Sequence, residues 1–159
     1  MIKFKKRIRL EDFGYKGVYR YFITVCTNKN VGQCFSIAKK DAINNIIELL
    51  KSVSIEFNFI VWVYCFMPDH LHLLIEGCNE NSDFKKFISM FKQKSGFYYK
   101  RLFQKKLWQI NYYEHIFRKE ETTKQIVRYI LENPIRKGLV KDFYEYPFSG
   151  SFMLDVKNL

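Results

Sequence analysis

Proline and glycine are scarce in this chain, 3 and 7 of its 159 residues. No low-complexity tract is present, and with 48% hydrophobic and 18% aromatic residues there is enough apolar surface to offset the entropy of ordering the chain. Global disorder is excluded. Cysteine occurs four times, at 26, 34, 65 and 78, and never as C-x-x-C, which excludes the spacing of a zinc ribbon or a dithiol redox motif and leaves free, buried thiols as the expectation. Long hydrophobic runs are missing too. The longest, Phe59 to Met67, is less than half the ~20 residues that cross a bilayer. Met1 to Leu10 alternates Lys or Arg with Ile, Phe and Leu, so it has no apolar stretch of the kind a secretory signal needs. A non-membrane protein in a reducing, cytoplasmic setting is expected. The length supports one domain.

Acidic residues are absent from the longer of two basic segments, residues 84–106. The formal net charge is +11, but it is unevenly spread. Residues 1–20 carry +5, and residues 84–106 carry +8 through Lys85, Lys86, Lys92, Lys94, Lys100, Arg101, Lys105 and Lys106 with no acid among them. The rest of the chain is slightly negative. Two concentrated basic segments favour a polyanionic partner over a generally solubilising surface. Phe97, Tyr98, Tyr99 and Phe103 interleave with the second segment, a composition suited to following phosphates and stacking unpaired bases.

Val18 to Thr27 is rich in β-branched and aromatic residues and predicts a first strand. Asp41 is placed to cap a helix in which Ile43, Ile46, Ile47, Leu50 and Val53 form one apolar stripe. Phe57 to Phe66 suits a buried central strand, and Met67-Pro68-Asp69 turns it into a partner running from His70 to Ile75. Asn81-Ser82-Asp83 opens a second helix over Phe84 to Lys106, with Phe84, Phe87, Ile88 and Phe91 on one face. A further strand falls within Trp108 to Phe117. Glu120-Glu121-Thr122-Thr123 opens a third helix with acids at the positive end of its dipole, and Pro134 sets its end near Asn133. This order predicts an α+β fold of the ferredoxin-like, split βαβ kind: an antiparallel sheet with helices on one face and the other free to be a site.

The sharpest local feature is Pro68-Asp69-His70-Leu71-His72. On a strand, residues two apart share a face, so His70 and His72 stand side by side while Leu71, Leu73 and Ile75 point to the core. Such a pair is half of a metal site, or simply two hydrogen-bonded histidines. Asp69, adjacent to His70, cannot complete a ligand set from the same strand face. On the third helix Tyr129 and Asn133 lie four apart and share a face, joining a phenol to an amide oxygen. They also follow the ordinary core stripe of Ile126 and Ile130.

Pro68-Asp69-His70-Leu71-His72, Trp108-Gln109, Tyr112 through Arg118, Tyr129 through Val140 and Tyr146-Pro147-Phe148-Ser149 together resemble the REP-associated tyrosine transposases, members of the single-tyrosine HUH nucleases. The resemblance runs from about Gly17 to Ser151. It leaves residues 1–16 as a basic N-terminal arm and 152–159 as a tail around one domain. It implies that His70 and His72 bind a divalent metal, Mg²⁺ or Mn²⁺, with Asn133 as third ligand and Tyr129 as the catalytic nucleophile. The implied reaction is cleavage and rejoining of single-stranded DNA beside a hairpin-forming palindromic repeat, through a covalent 5′-phosphotyrosine. An unassisted phenol costs about 4 kcal/mol to ionise at neutral pH, so a metal, a base or a cation such as Lys124, Arg128, Arg136 or Lys137 must help. The basic helix and the N-terminal arm are then the expected DNA contacts, and the chain acts as a monomer or homodimer. Two other readings stay open: a hairpin-binding module without catalysis, and a metal-dependent hydrolase that uses water. His115 and Arg118 have no assigned role.

Overall fold

In the computed structural model, residues 13–117 and 123–158 are described. The N-terminal arm up to Asp12, Arg118 and the acids Glu120 and Glu121 therefore lie outside the described residues. The chain runs β1 (Arg20–Cys26), α1 (Lys40–Glu56), β2 (Phe59–Met67), β3 (His70–Gly77), α2 (Phe84–Phe103), β4 (Tyr113–Phe117), α3 (Thr123–Leu131), α4 (Asn133–Arg136) and β5 (Ser149–Gly150). The sheet has the order β4-β1-β3-β2-β5, and every neighbouring pair is antiparallel. β3 sits between β1 and β2, the two strands joined through α1, so the βαβ unit is split as expected.

Strand alternation divides the residues into two faces. Tyr21, Ile23 and Val25 of β1 and Leu71, Leu73 and Ile75 of β3 are fully buried beneath the two long helices. The Tyr21 ring stacks on Phe84 at 4.2 Å and Phe59 meets Phe87 at 4.9 Å. α1 lays the predicted stripe Ile43, Ile46, Ile47, Leu50 and Val53 into the same core and packs beside α2. The short α3 crosses the opposite face against β2 and β3. The second face is thus not left bare: it holds the helix that carries Tyr129.

Several local expectations shift. The backbone of Tyr15, Gly17 and their neighbours turns sharply, so β1 begins at Arg20 rather than Val18. Tyr15 itself is buried and stacks on Phe84, and its hydroxyl donates to Glu114. Asp41 does not cap α1. A 3-10 turn over Ile37–Lys39 feeds directly into the helix, which moves the N-cap position to Lys39 and places Asp41 in the first turn. α2 does carry the expected Asp83 cap, on the Lys86 amide, but Gln104 in the left-handed conformation stops it after Phe103. Lys105 and Lys106 therefore lie beyond the helix. α3 ends at Leu131, near the expected Asn133, and Pro134 opens a further helical turn. It stands in the first turn of α4, where a missing N–H costs nothing. Gly77 needs to be glycine for a close approach, since a Cβ there would fall 2.0 Å from the Gly17 carbonyl oxygen.

Candidate active site on the open face of the sheet

His70 and His72 come to one face through the pairing of β3 with β1, which sets Cys26 opposite His70 and Thr24 opposite His72. β2 and β3 are joined by the two-residue turn Pro68-Asp69, with Met67 paired to His70. That turn is held from outside. The Thr27 amide and hydroxyl both donate to the Asp69 carbonyl at 2.9 Å, and the Phe35 amide donates to the Pro68 carbonyl at 3.1 Å.

The two imidazoles converge. Their Nε2 atoms lie 3.0 Å apart, while each Nδ1 has its own partner: Asp69 Oδ1 at 2.6 Å for His70 and Thr24 Oγ1 at 3.0 Å for His72. A carboxylate only accepts, so His70 Nδ1 is the donor; in the neutral ring Nε2 then carries a lone pair aimed at His72. Two arrangements satisfy the pair. Either His72 Nε2–H donates to His70, with the Thr24 hydroxyl donating to His72 Nδ1, or both lone pairs meet one cation and Thr24 turns to accept. Burial pushes the His72 pKa down to about 3, with the neighbouring His70 and the Arg136 charge acting in the same direction. His72 is therefore neutral near pH 7 and available as a ligand. Carboxylate and hydroxyl partners behind ligating histidines are the usual means of fixing ring orientation and raising basicity.

The donor set suits a divalent ion only in part from protein. Among the described residues no group of three or more His, Cys, Asp or Glu side chains gathers, so further ligands must be amide, water or substrate oxygens. Asn133 is nearly buried at the junction of α3 and α4. Its amide nitrogen turns back to the Tyr129 carbonyl at 3.5 Å, leaving Oδ1 as the amide's acceptor.

Tyr129 reaches the histidine face through Phe22. The Phe22 ring centroid is 5.5 Å from that of His72 and 6.5 Å from that of Tyr129. Arg136 lies over the Tyr129 ring at 4.2 Å, donates to the Tyr129 carbonyl at 2.5 Å and pairs with Glu132. The start of α3 is tied to the sheet by Arg20, which bonds the Thr123 hydroxyl and, through Nε and Nη2 at 3.0 and 2.8 Å, Glu76. Trp62 Nε1 donates to the same Glu76 oxygen at 2.8 Å.

His70, His72 and Tyr129 of α3 thus share one side of the sheet, and Asn133 follows at the start of α4. The basic segment does not join them, because α2 packs on the other side. Lys92 is spent on the carbonyls of Gln109 and Ile110 at 2.7 Å each, and Lys94 on Glu56 at 2.9 Å. Lys85 lies over the Tyr15 ring and Arg101 over Phe97. Lys86, Lys100, Lys105 and Lys106 are exposed. His115 shares the histidine face through its pairing with Phe22, but its ring packs on Phe117. Thr24 and Arg20 escape a sequence reading because only strand register puts them beside His72 and Glu76. Asp69 was in view as a poor ligand; its place is behind His70.

Residues 18–133 match the family model described as transposase IS200-like. The chain belongs to that transposase family. Among curated relatives of this transposase-family chain, a REP-associated tyrosine transposase of Escherichia coli K12 is 28% identical over 140 residues, 86% of this chain and 78% of its own length. A Haemophilus influenzae protein assigned to the same group is 27% identical over 157 residues, 92% of this chain and 85% of its own. A solved structure of a REP-associated tyrosine transposase bound to a REP hairpin superposes with a TM-score of 0.71 at 22% identity, covering 90% of this chain and 82% of that one. The fold is therefore that of these transposases. In the described residues no helix is long and apolar enough to cross a membrane.

Proposed function

We propose that this transposase cleaves and rejoins single-stranded DNA next to a hairpin, using Tyr129 as nucleophile. The observation that carries the reading is the shared face: α3 sets Tyr129 against Phe22, which in turn packs on His72. His70 Nε2, His72 Nε2 and Asn133 Oδ1 would hold a divalent cation, Mg²⁺ or Mn²⁺, which when bound acts as a Lewis acid on a phosphate oxygen. Tyr129 Oη gives up its proton and attacks phosphorus, the bond from phosphorus to the 3′ oxygen breaks, and the departing strand leaves as a 3′-hydroxyl once that oxygen takes up a proton. The 5′-phosphate stays on the phenol oxygen. A second 3′-hydroxyl reverses the step and restores the phenol, so one side chain cuts and joins without an external energy source.

Within this scheme Arg136 holds the attacking ring in place by a cation–π contact worth about 0.5–2 kcal/mol and adds positive charge where phosphate charge must be met. Arg20 keeps the start of α3 on the sheet. Hairpin DNA is the proposed partner, in keeping with the family and with the exposed cations of α2. Incubation of the protein with Mn²⁺ and end-labelled hairpin DNA is expected to give a denaturation-resistant adduct that is lost in Tyr129→Phe and in His72→Ala. Binding without adduct would instead support a hairpin-binding module, and cleavage that persists in Tyr129→Phe would support a water-using hydrolase.

A further inference from the structure

The chain has three histidines, at 70, 72 and 115, and the proposed metal site takes two of them. His115 belongs to β4, the edge strand of the sheet, and strand register gives it its place. β1 lies between β4 and β3, with Phe22 opposite His115 on one side and Leu74 on the other. Directly paired residues project from the same face with Cβ atoms about 4.5–5.5 Å apart. His115 therefore stands beside Phe22, whose ring is 6.5 Å from that of Tyr129 and 5.5 Å from that of His72. Phe117, two residues further along β4, is 6.5 Å from Phe22 and meets the His115 ring edge to face at 4.7 Å. Tyr129 thus packs on Phe22 with an imidazole on the strand to either side: His72 on β3 and His115 on β4.

A phenol that attacks phosphorus must lose its proton, and an unassisted phenol is almost wholly protonated at neutral pH. Arg136, which lies over the Tyr129 ring, favours the anion by its charge but has no lone pair to take a proton. The Nε2 lone pairs of His70 and His72 go to the metal when it is bound. Carboxylates around α3 are engaged: Glu132 by Arg128 and Arg136, and Glu76 by Arg20 and Trp62. Glu114 pairs with Ile23 on the core face, where Tyr15 donates to it, and Asp69 sits behind His70. Cys26 and Cys65 are set opposite His70 and His72, not Phe22. Among the described side chains this leaves partly buried His115, an imidazole, the group best suited to accept a proton near neutral pH.

We propose that His115 is the general base of the cleavage step, taking the phenolic proton of Tyr129 directly or through one water. The phenol O–H bond breaks as the bond from that oxygen to phosphorus forms, and the imidazole becomes an imidazolium. On rejoining, the phenol leaves phosphorus as an oxyanion and recovers the proton from His115, whose ring is neutral again. The 3′ oxygen exchanges its own proton with solvent in both directions. This assignment rests on the nuclease reading and adds to it the group that receives the proton. The competing role for a histidine here is a positive charge held against phosphate. Arginine tells the two apart, because a guanidinium keeps the charge but cannot accept a proton.

Single-turnover adduct formation by the full chain, with end-labelled hairpin DNA and Mn²⁺ in excess, tests the assignment. His115→Ala is expected to form the adduct about 100-fold more slowly, within the usual worth of a general base. Its Mn²⁺ affinity and hairpin affinity are expected to stay within twofold of the parent, with an unchanged melting temperature. Free imidazole is expected to restore its rate saturably, to leave the parent rate unchanged and to produce no adduct in Tyr129→Phe. His115→Arg is expected to be as slow as His115→Ala and to gain nothing from imidazole. His115→Gln, which stays polar and of similar size, is expected to show the same loss and carries the test should His115→Ala be unstable. A parent-like rate in the Ala or Gln variant, full activity in His115→Arg, or a loss in a folded His115→Ala that imidazole leaves untouched would overturn the proposal. If the parent itself forms no adduct, the nuclease reading fails and the general base falls with it. If parent and His115 variants form it equally fast, only the role of His115 fails.

Discussion

Replacing Asp69 by Asn should weaken metal binding without disturbing the fold. The Asp69 carboxylate sits 2.6 Å from His70 Nδ1 and is two-thirds exposed, so the exchange removes charge but little buried structure. A carboxylate behind a ligating imidazole raises its basicity and holds the ring, and loss of such a partner typically costs 10–100-fold in metal affinity, which is about 1.4–2.7 kcal/mol. Thr24→Val applies the same reasoning to His72, since valine keeps the shape of threonine but offers no hydrogen bond at 3.0 Å. The two partners belong to one hydrogen-bonded chain through the 3.0 Å contact between the rings, so the double variant should depart from the sum of the singles. Titration of the protein with Mn²⁺, followed by the electron paramagnetic resonance of the free ion, reads the affinity directly, without DNA. If Asp69→Asn binds Mn²⁺ within twofold of the parent, the carboxylate does not support His70 as a ligand. If instead it is as damaging as His70→Ala, Asp69 acts as more than an orienting group.

Other consequences concern the core and the site's attachment. Tyr21 Oη is buried with no hydrogen-bond partner among the described residues, and Tyr21→Phe should raise stability by about 1 kcal/mol in urea unfolding, since it removes an unpaid desolvation; a loss of stability would mean the hydroxyl is satisfied in solution. Stability should fall on the alkaline side. Burial pushes the Cys34 thiol from 9.0 up to about 11 and pushes Cys65, Tyr21 and Tyr146 upward as well. The unfolded chain therefore releases protons first: the Cys34 contribution, on the order of 3 kcal/mol, is complete below pH 9 and is lost as pH rises towards 11. Urea midpoints that stay level from pH 8 to 11 would contradict this. Gly77→Ala drives a Cβ into the Gly17 carbonyl and should cost more than about 3 kcal/mol, read as a collapse of the melting temperature; a near-normal melt would show that the β3 end yields easily. Thr123→Val, which cuts the Arg20 link to α3, should slow adduct formation several-fold at unchanged hairpin affinity, and an unchanged rate would show that packing alone holds the helix.

Much of this protein can be read from its residues in order. Periodicity located α1 and α2 with their buried stripes, since a 3.6-residue repeat of Ile, Leu and Phe has no other way to hide its apolar face. The β2–β3 hairpin, the order of elements and the one-faced His70–His72 pair follow from local pattern as well, because alternation on a strand is set by backbone geometry. Boundaries were less legible at Val18, Asp41 and Pro134, where a turn, a 3-10 segment and a second short helix redirected the chain.

What only the tertiary structure decided is which distant groups meet. Thr24 stands behind His72 because β1 pairs with β3 in one register, and a slip of one residue would have turned it to the core. α3 crosses the histidine face because Arg20 and Phe22, a hundred residues earlier, receive Thr123 and Tyr129. The run of lysines read as one DNA surface is divided by the fold: some are spent on carbonyls and carboxylates, and the helix that bears them faces away from the imidazoles. Spacing along a chain specifies neighbours within an element, whereas contacts between elements are set by packing, and the candidate site joins a locally set histidine pair to a helix that only packing brings to it.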